Sequence, residues 1–289
     1  MGAKLTMRDT EVILNVHKYR YLTATQIEKL HFPSMQMAWR RLHILTALGF
    51  LKAFTTPNIN ERIFYLGKQG AEIAAGLLRV DVEYLTPGKI PKDYYFLKHF
   101  LAINDFRILI TKACQESDLN LLGFIPEYIG EKTKEGYVKK YIRDKVSDIM
   151  FSADREYSHT PDGVFSLEKD GKPALFFLEI DRGSEIVADP EKGFLKCVVF
   201  YLHYWREKKW IRYNEDFQRE FRTFRLLVVT TSNERLQNMR EAVTGLSFPD
   251  SSVKRFLWGT IQNWLRVETV FDPIWQSMDK DDLTPYKIG

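Results

Sequence analysis

Apolar positions in the first part of the chain return every three or four residues, the spacing that gathers side chains on one side of a helix. Val12, Ile13, Val16 and Tyr19 form the first such stripe in DTEVILNVHKYR, with Asp9 or Thr10 placed to cap it. Ile27 and Leu30 form a shorter stripe after Thr23. Ala38, Leu42, Leu45 and Leu48 form a third after Ser34, and Gly49 closes it. The pattern then changes: FLKAF and RIFYLG read as strands around a turn-rich TTPNINE, and KQGAEIAAGLLR resumes helical spacing. Residues 81–93 mix Pro, Gly and charge without a period, which predicts a linker between a domain at 1–80 and another at 94–289.

Beyond that seam, YYFLKHFLAINDFRILITKACQES predicts a long helix and LNLLGFIPEYI a strand. Charged residues dominate 131–150, where no pattern emerges. VFSLE and ALFFLEID flank a KDGK turn, as in a hairpin, and PEKGFLKCVVFYLHYWREKK follows as a helix. FRLLVVTTS, NERLQNMREAVTG and KRFLWGTI then predict strand, helix and strand. This order implies a mixed sheet flanked by helices, an α/β arrangement that is α+β over the whole chain.

Three helices followed by a hairpin describe a winged helix-turn-helix, whose third helix enters the DNA major groove. With Ala38, Leu42 and Leu45 facing the core, Gln36, Arg40, Arg41 and His43 are the candidate DNA contacts, joined by Arg62 on the hairpin. The arginines would read base edges or clamp phosphates; a solvated helix face, or a winged helix that binds protein, would leave the same pattern. Charge favours the DNA reading. Residues 1–92 carry thirteen Lys and Arg against seven Asp and Glu, while the remainder is slightly acidic.

Composition sets the outer limits. Hydrophobic residues at 45% and charged residues at 28% suit a folded globular chain and exclude a disordered one. Cys114 and Cys197, the only cysteines, lack metal-ligand spacing and read as buried free thiols of a reducing compartment. No apolar run approaches the ~18 residues of a membrane span. The N-terminus lacks a secretory pattern. The expectation is a cytoplasmic protein with double-stranded DNA as partner, no membrane, and room for a homodimer or for other replication or mobilisation proteins.

Acidic residues carry the candidate chemistry. Asp162 stands in a Pro-Asp-Gly turn at the mouth of a strand, and Glu179 and Asp181 lie two apart at the end of the next. A period of two sets both on one strand face, and hairpin pairing brings Asp162 to the same end. Such carboxylates repel unless a hard cation such as Mg²⁺ or Mn²⁺ lies between them, and that cation activates water against a phosphodiester. Asp162-Gly163 equally suits a plain turn, whereas Glu179 among Phe177, Leu178 and Ile180 is costly to bury without a partner. His99 reads first as a core histidine. Tyr201, His203, Tyr204, Trp205 and Trp210 read as core before stacking surface.

The Pro-Asp, hairpin, Glu-x-Asp layout resembles the PD-(D/E)xK nuclease superfamily. The whole chain resembles the replication-relaxation family of plasmids and mobile elements, which joins a winged helix to a restriction-endonuclease-like core and includes relaxases of the MobC mobilisation class. The matching segments are YLTATQIEKL, AWRRLHILTALGFL, LKHFLAINDFRI, PDGVF, FFLEIDRGSE, the helix from Lys196 to Tyr201, and FDPIW. The resemblance implies Asp162, Glu179 and Asp181 as catalytic acids and metal ligands, with Glu127 as an additional acid. Where the superfamily has Lys, this chain has Asp181, so the positive charge would come from Lys196 or Arg182. Two functions follow: a metal-dependent DNA nickase or relaxase, or a non-catalytic DNA-binding regulator on a degenerate nuclease fold.

Overall fold

The computed structural model describes residues 5–80, 94–133, 136–141, 144–148, 155–184, 186–189, 193–246, 256–261 and 270–288. The expected linker at 81–93 lies outside them. The chain divides into one compact unit of Met1–Ile108 with Lys132–Val138, and another of Leu109–Glu131 with Lys139–Gly289.

The first unit runs α1 (Met7–Tyr19), β1 (Leu22–Thr23), α2 (Ala24–His31), α3 (Met35–Ala47), β2 (Leu51–Thr56), β3 (Ile59–Leu66) and α4 (Lys68–Leu78), with strand order β1-β3-β2. Thr23 and Ser34 cap α2 and α3 as expected. The cap of α1 is Thr6, not Asp9 or Thr10: Thr6 accepts from the Asp9 backbone N–H, and the Asp9 carboxylate accepts from the Thr6 N–H, a reciprocal capping box. Gly49, at φ +76°, turns the chain out of α3 into β2. The wing is tighter than TTPNINE suggested. Thr56 pairs with Ile59, leaving only Pro57 and Asn58 as its tip.

Helix α5 (Tyr94–Gln115) crosses the unit boundary, so the second unit starts at 109 rather than 94. Its first half is built into the winged helix by polar contacts. The Asn104 amide donates to the carbonyls of Tyr19 and Tyr21, and the Gln26 amide to that of Leu101. Helical periodicity alone assigned α5 to the next domain, because a stripe does not say which neighbour covers it.

After α5 come β4 (Asn120–Pro126) and the two-stranded pair β5 (Tyr128–Thr133) with β6 (Gly136–Tyr141), part of which groups with the first unit; the second unit continues with the pair β7 (Asp144–Asp148) and β8 (Arg155–His159), then β9 (Gly163–Lys169), β10 (Lys172–Ile180), α6 (Gly193–Arg206), α7 (Tyr213–Phe217), β11 (Phe224–Thr230), α8 (Asn233–Thr244), β12 (Leu257–Ile261), β13 (Trp275–Ser277) and β14 (Pro285–Tyr286). Seven strands form one sheet in the order β14-β13-β12-β11-β10-β9-β4. Strands β10, β11 and β12 run parallel, and the flanking pairings are antiparallel, so the sheet is mixed as expected.

Alternation along β10 divides its neighbours. Phe177 meets the rings of Tyr201, Tyr204, Tyr213 and Phe224 on one face, while Phe176 stacks on Phe165 and Phe165 on Phe124 on the other. Tyr201, Tyr204 and Trp210 are therefore core, as the sequence favoured. None of the described helices is long and apolar enough to cross a membrane.

One ion pair anchors the first unit. The Asp9 side chain is 1% exposed and receives both the Nε and NH2 groups of Arg41, itself 22% exposed. Burial pushes the Asp9 pKa up, but the bonds from Arg41 and Thr6 more than reverse this and hold it below 3.8. Arg41→Ala strands that carboxylate and is expected to cost about 3 kcal/mol in denaturant unfolding at neutral pH. Because the folded pKa is depressed, the deficit is full above the unfolded value and shrinks as pH falls through the folded one. A deficit that stays constant into acid would show that the pair contributes little.

Candidate functional site

Two surfaces emerge, one in each unit. In the first, Gln36, Arg40 and His43 are all exposed on α3, at spacings of four and three that place them on one face. Arg62 is exposed on β3. Arg41 does not belong with them. Its position, one residue past Arg40, rotates it toward α1, where its guanidinium is committed to buried Asp9. Met37 (45% exposed) and Trp39 (39%) lie on the same helix, with the Trp39 ring edge-on to Phe64 at 6.1 Å. Pattern reading missed these two because apolar residues are assigned to the core by default.

In the second unit the carboxylates converge where β9 begins and β10 ends. Ladder pairing closes at Gly163 opposite Leu178. The next backbone donor, Ile180 N–H, is taken by Asp162 Oδ2 at 2.6 Å. Asp162 thus replaces a missing strand residue and is buried. Gly163 is set by packing as much as by turn chemistry: a Cβ there would lie 2.4 Å from the Phe124 ring. Pro126 pairs with Gly163, so the register continues with Glu127, half-buried, level with Asp162.

Glu179 occupies the same face of β10 as Phe177, so it faces α6. Its Oε1 accepts from Tyr201 Oη at 2.6 Å and lies 2.7 Å from His159 Nε2 at the end of β8. Cys197 Sγ is 3.8 Å from the same nitrogen. Cys197 and Tyr201 stand one turn apart on α6 and so share a face, whereas Lys196, one position earlier, is rotated out and exposed.

Asp181 takes a different course. Strand β10 ends at Ile180, and the Asp181 carboxylate is gripped by Arg235 of α8 through Nε (2.5 Å) and NH2 (2.7 Å) and by the Thr230 hydroxyl (2.5 Å). It ties the ends of β10 and β11 to the start of α8. The geometry therefore joins Asp162 and Glu179 and removes Asp181 from their company, despite the spacing of two.

Burial governs the electrostatics. Burial pushes the Glu179 pKa above 4.5, opposed by His159 and Tyr201 and assisted by the nearby charge of Asp162. Burial also disfavours an imidazolium, but Glu179 and Cys197 outweigh it and lift His159 well above 6.5. Burial drives the Cys197 thiol up to about 12. His159, Cys197 and Tyr201 were absent from the sequence-derived site. The one local signal was a histidine three residues before Asp162 in His-Thr-Pro-Asp.

Oxygen donors from Asp162 and Glu179 suit a hard cation, while Asp181 is already neutralised. The replication-relaxation family model matches residues 14–219, more than two thirds of the chain. Among solved structures, a cysteine-to-serine mutant of MarR from E. coli complexed with operator DNA is similar at 18% identity, over 34% of this chain and 74% of that one, with a TM-score of 0.25. The reduced form of MarR from E. coli is similar at 20% identity, over 34% and 75%, with a TM-score of 0.24. No curated protein matches the chain.

If Glu179 is the main group holding His159 protonated, Glu179→Gln leaves burial opposed by Cys197 alone. The His159 pKa is then expected to fall in an NMR pH titration. A raised pKa also means that the imidazolium's contribution to stability is present below the unfolded value and lost as pH rises through the folded one. An unchanged titration in the variant would remove Glu179 as the cause.

Proposed function

The chain belongs to the replication-relaxation family, and on that premise we propose that it binds double-stranded DNA and nicks it during replication or mobilisation of a plasmid or mobile element. The observation that carries the DNA-binding part is the exposed face of Gln36, Arg40 and His43 on α3, with Arg62 on the adjoining wing. A helix of this kind fits the major groove, where Arg and Gln hydrogen-bond to base edges, and a wing arginine contacts phosphate.

The cleaving part rests on Asp162 and Glu179 meeting where β9 begins and β10 ends. These two residues would hold Mg²⁺ or Mn²⁺, which supplies an activated water and neutralises charge on the scissile phosphate. Tyr201 and His159 fix the Glu179 carboxylate by hydrogen bonds, and the Ile180 N–H fixes that of Asp162. Glu127, level with Asp162, is the candidate additional acid, and Arg182 the candidate cationic group in place of the superfamily lysine, since Lys196 is rotated away from Glu179. The second reading, a DNA-binding regulator without cleavage, is favoured by one observation: the residue standing at the lysine position, Asp181, is neutralised by Arg235.

Selection from a randomised duplex pool supplies a binding site for both tests. Arg62→Ala is expected to weaken binding and to lower the salt slope of log affinity by about 1, and Arg40→Ala to weaken binding and relax base preference; unchanged affinity in both would remove this face from the interface. On supercoiled plasmid bearing the selected site, with Mg²⁺ or Mn²⁺, the wild type is expected to produce open circles. Asp162→Ala should reduce nicking by at least about a hundredfold. Binding without nicking by the wild type would leave the regulator reading.

A further inference from the structure

Three ligand atoms from three elements face one point in the second unit: His159 Nε2 from β8, Glu179 Oε1 from β10 and Cys197 Sγ from α6, all within 4.8 Å of one another. A cysteine nucleophile activated by histidine is the first chemistry this trio suggests, but the geometry opposes it. A triad divides the ring, one nitrogen for the nucleophile and the other for the orienting acid. Here the same Nε2 lies 2.7 Å from the carboxylate and 3.8 Å from the sulfur. One nitrogen cannot donate to Glu179 and take a proton from Cys197 at once.

Lone pairs of nitrogen, oxygen and sulfur that point inward together are what a cation needs. We propose that His159, Glu179 and Cys197 form a binding site for a thiophilic divalent transition metal, with Zn²⁺ the ion it suits best. Three protein ligands with an open fourth position is the arrangement of an accessible zinc centre, in which water or a substrate oxygen completes the tetrahedron. His159 at 25% exposure and Glu179 at 15% leave that position within reach of solvent. Sulfur and imidazole select against Mg²⁺, which takes oxygen.

The support around the ligands is of the right kind. Each comes from a regular element, and the Tyr201 hydroxyl, one helical turn beyond Cys197, donates to Glu179 at 2.6 Å and orients it. On binding, the Cys197 thiol and the His159 imidazolium each release a proton to solvent, and His159 coordinates through the freed Nε2. Two metal bonds thereby replace the His159–Glu179 hydrogen bond. The site shares Glu179 with the proposed nicking centre but uses neither Asp162 nor any DNA, so it stands whether or not the chain cleaves.

Having only two cysteines makes the test clean. The full chain, stripped with chelator, is titrated with Co²⁺ and followed by absorption. One equivalent is expected to give intense tetrahedral d–d bands with a sulfur-to-cobalt charge-transfer band, and Zn²⁺ but not excess Mg²⁺ is expected to bleach both. Cys197→Ser should abolish the charge-transfer band, and Cys114→Ser should leave it intact. His159→Gln should weaken Zn²⁺ binding roughly a hundredfold or more by calorimetry. Circular dichroism and melting of the metal-free variants confirm that each is folded. A weak octahedral spectrum, a charge-transfer band that survives Cys197→Ser, displacement by Mg²⁺, or no binding at all overturns the proposal.

Discussion

The cost of a carboxylate in an apolar layer organises the second unit. Glu179 follows Phe177 and Leu178 on a buried interior strand of the sheet. Left alone there, its charge would cost several kcal/mol or be neutralised. The chain answers from two elements: α6 supplies the Tyr201 hydroxyl and β8 the His159 imidazole. Removing either would strand the other's partner, so the position of β8, the face of α6 and the end of β10 are mutually dependent.

The same rule acts twice more, and each time decides which charges remain for function. Asp9 is buried at the start of α1 and draws Arg41 inward, leaving Arg40 on the exposed side of α3. Asp181 draws Arg235 from α8 and thereby leaves Glu179 with Asp162 as its acidic neighbour. In both cases an arginine fork satisfies a carboxylate bidentately, which fixes side-chain direction as well as charge. What is left over is a row of polar side chains on α3 and a mixed oxygen, nitrogen and sulfur cluster beside β10.

That remainder gives the two units different tasks. The α3 face and wing suit a regular, charged surface such as duplex DNA, and the cluster suits a single ion. The replication-relaxation family model, matching residues 14–219, reaches into both units. The choice between cleavage and regulation then turns on what Asp162 and Glu179 hold, and the donor set reaching Glu179 includes groups that the acids alone did not announce.

Periodicity in the sequence was enough to read the winged helix, the hairpin at Asp170–Gly171 and the alternating helices and strands of the core, because these follow from local spacing and turn chemistry. It also brought Asp162 and Glu179 to one sheet end, since a two-residue hairpin fixes the register. Non-local pairing lay beyond it. Whether Arg41 faced DNA or Asp9 depended on a partner 32 positions away, and Asp181 met Arg235 across 54. The meeting of His159 with Cys197 spans 38 residues and three separate elements. Spacing tells which face a side chain occupies; only the packed structure says what stands opposite, and for buried charges that opposite partner determines the role.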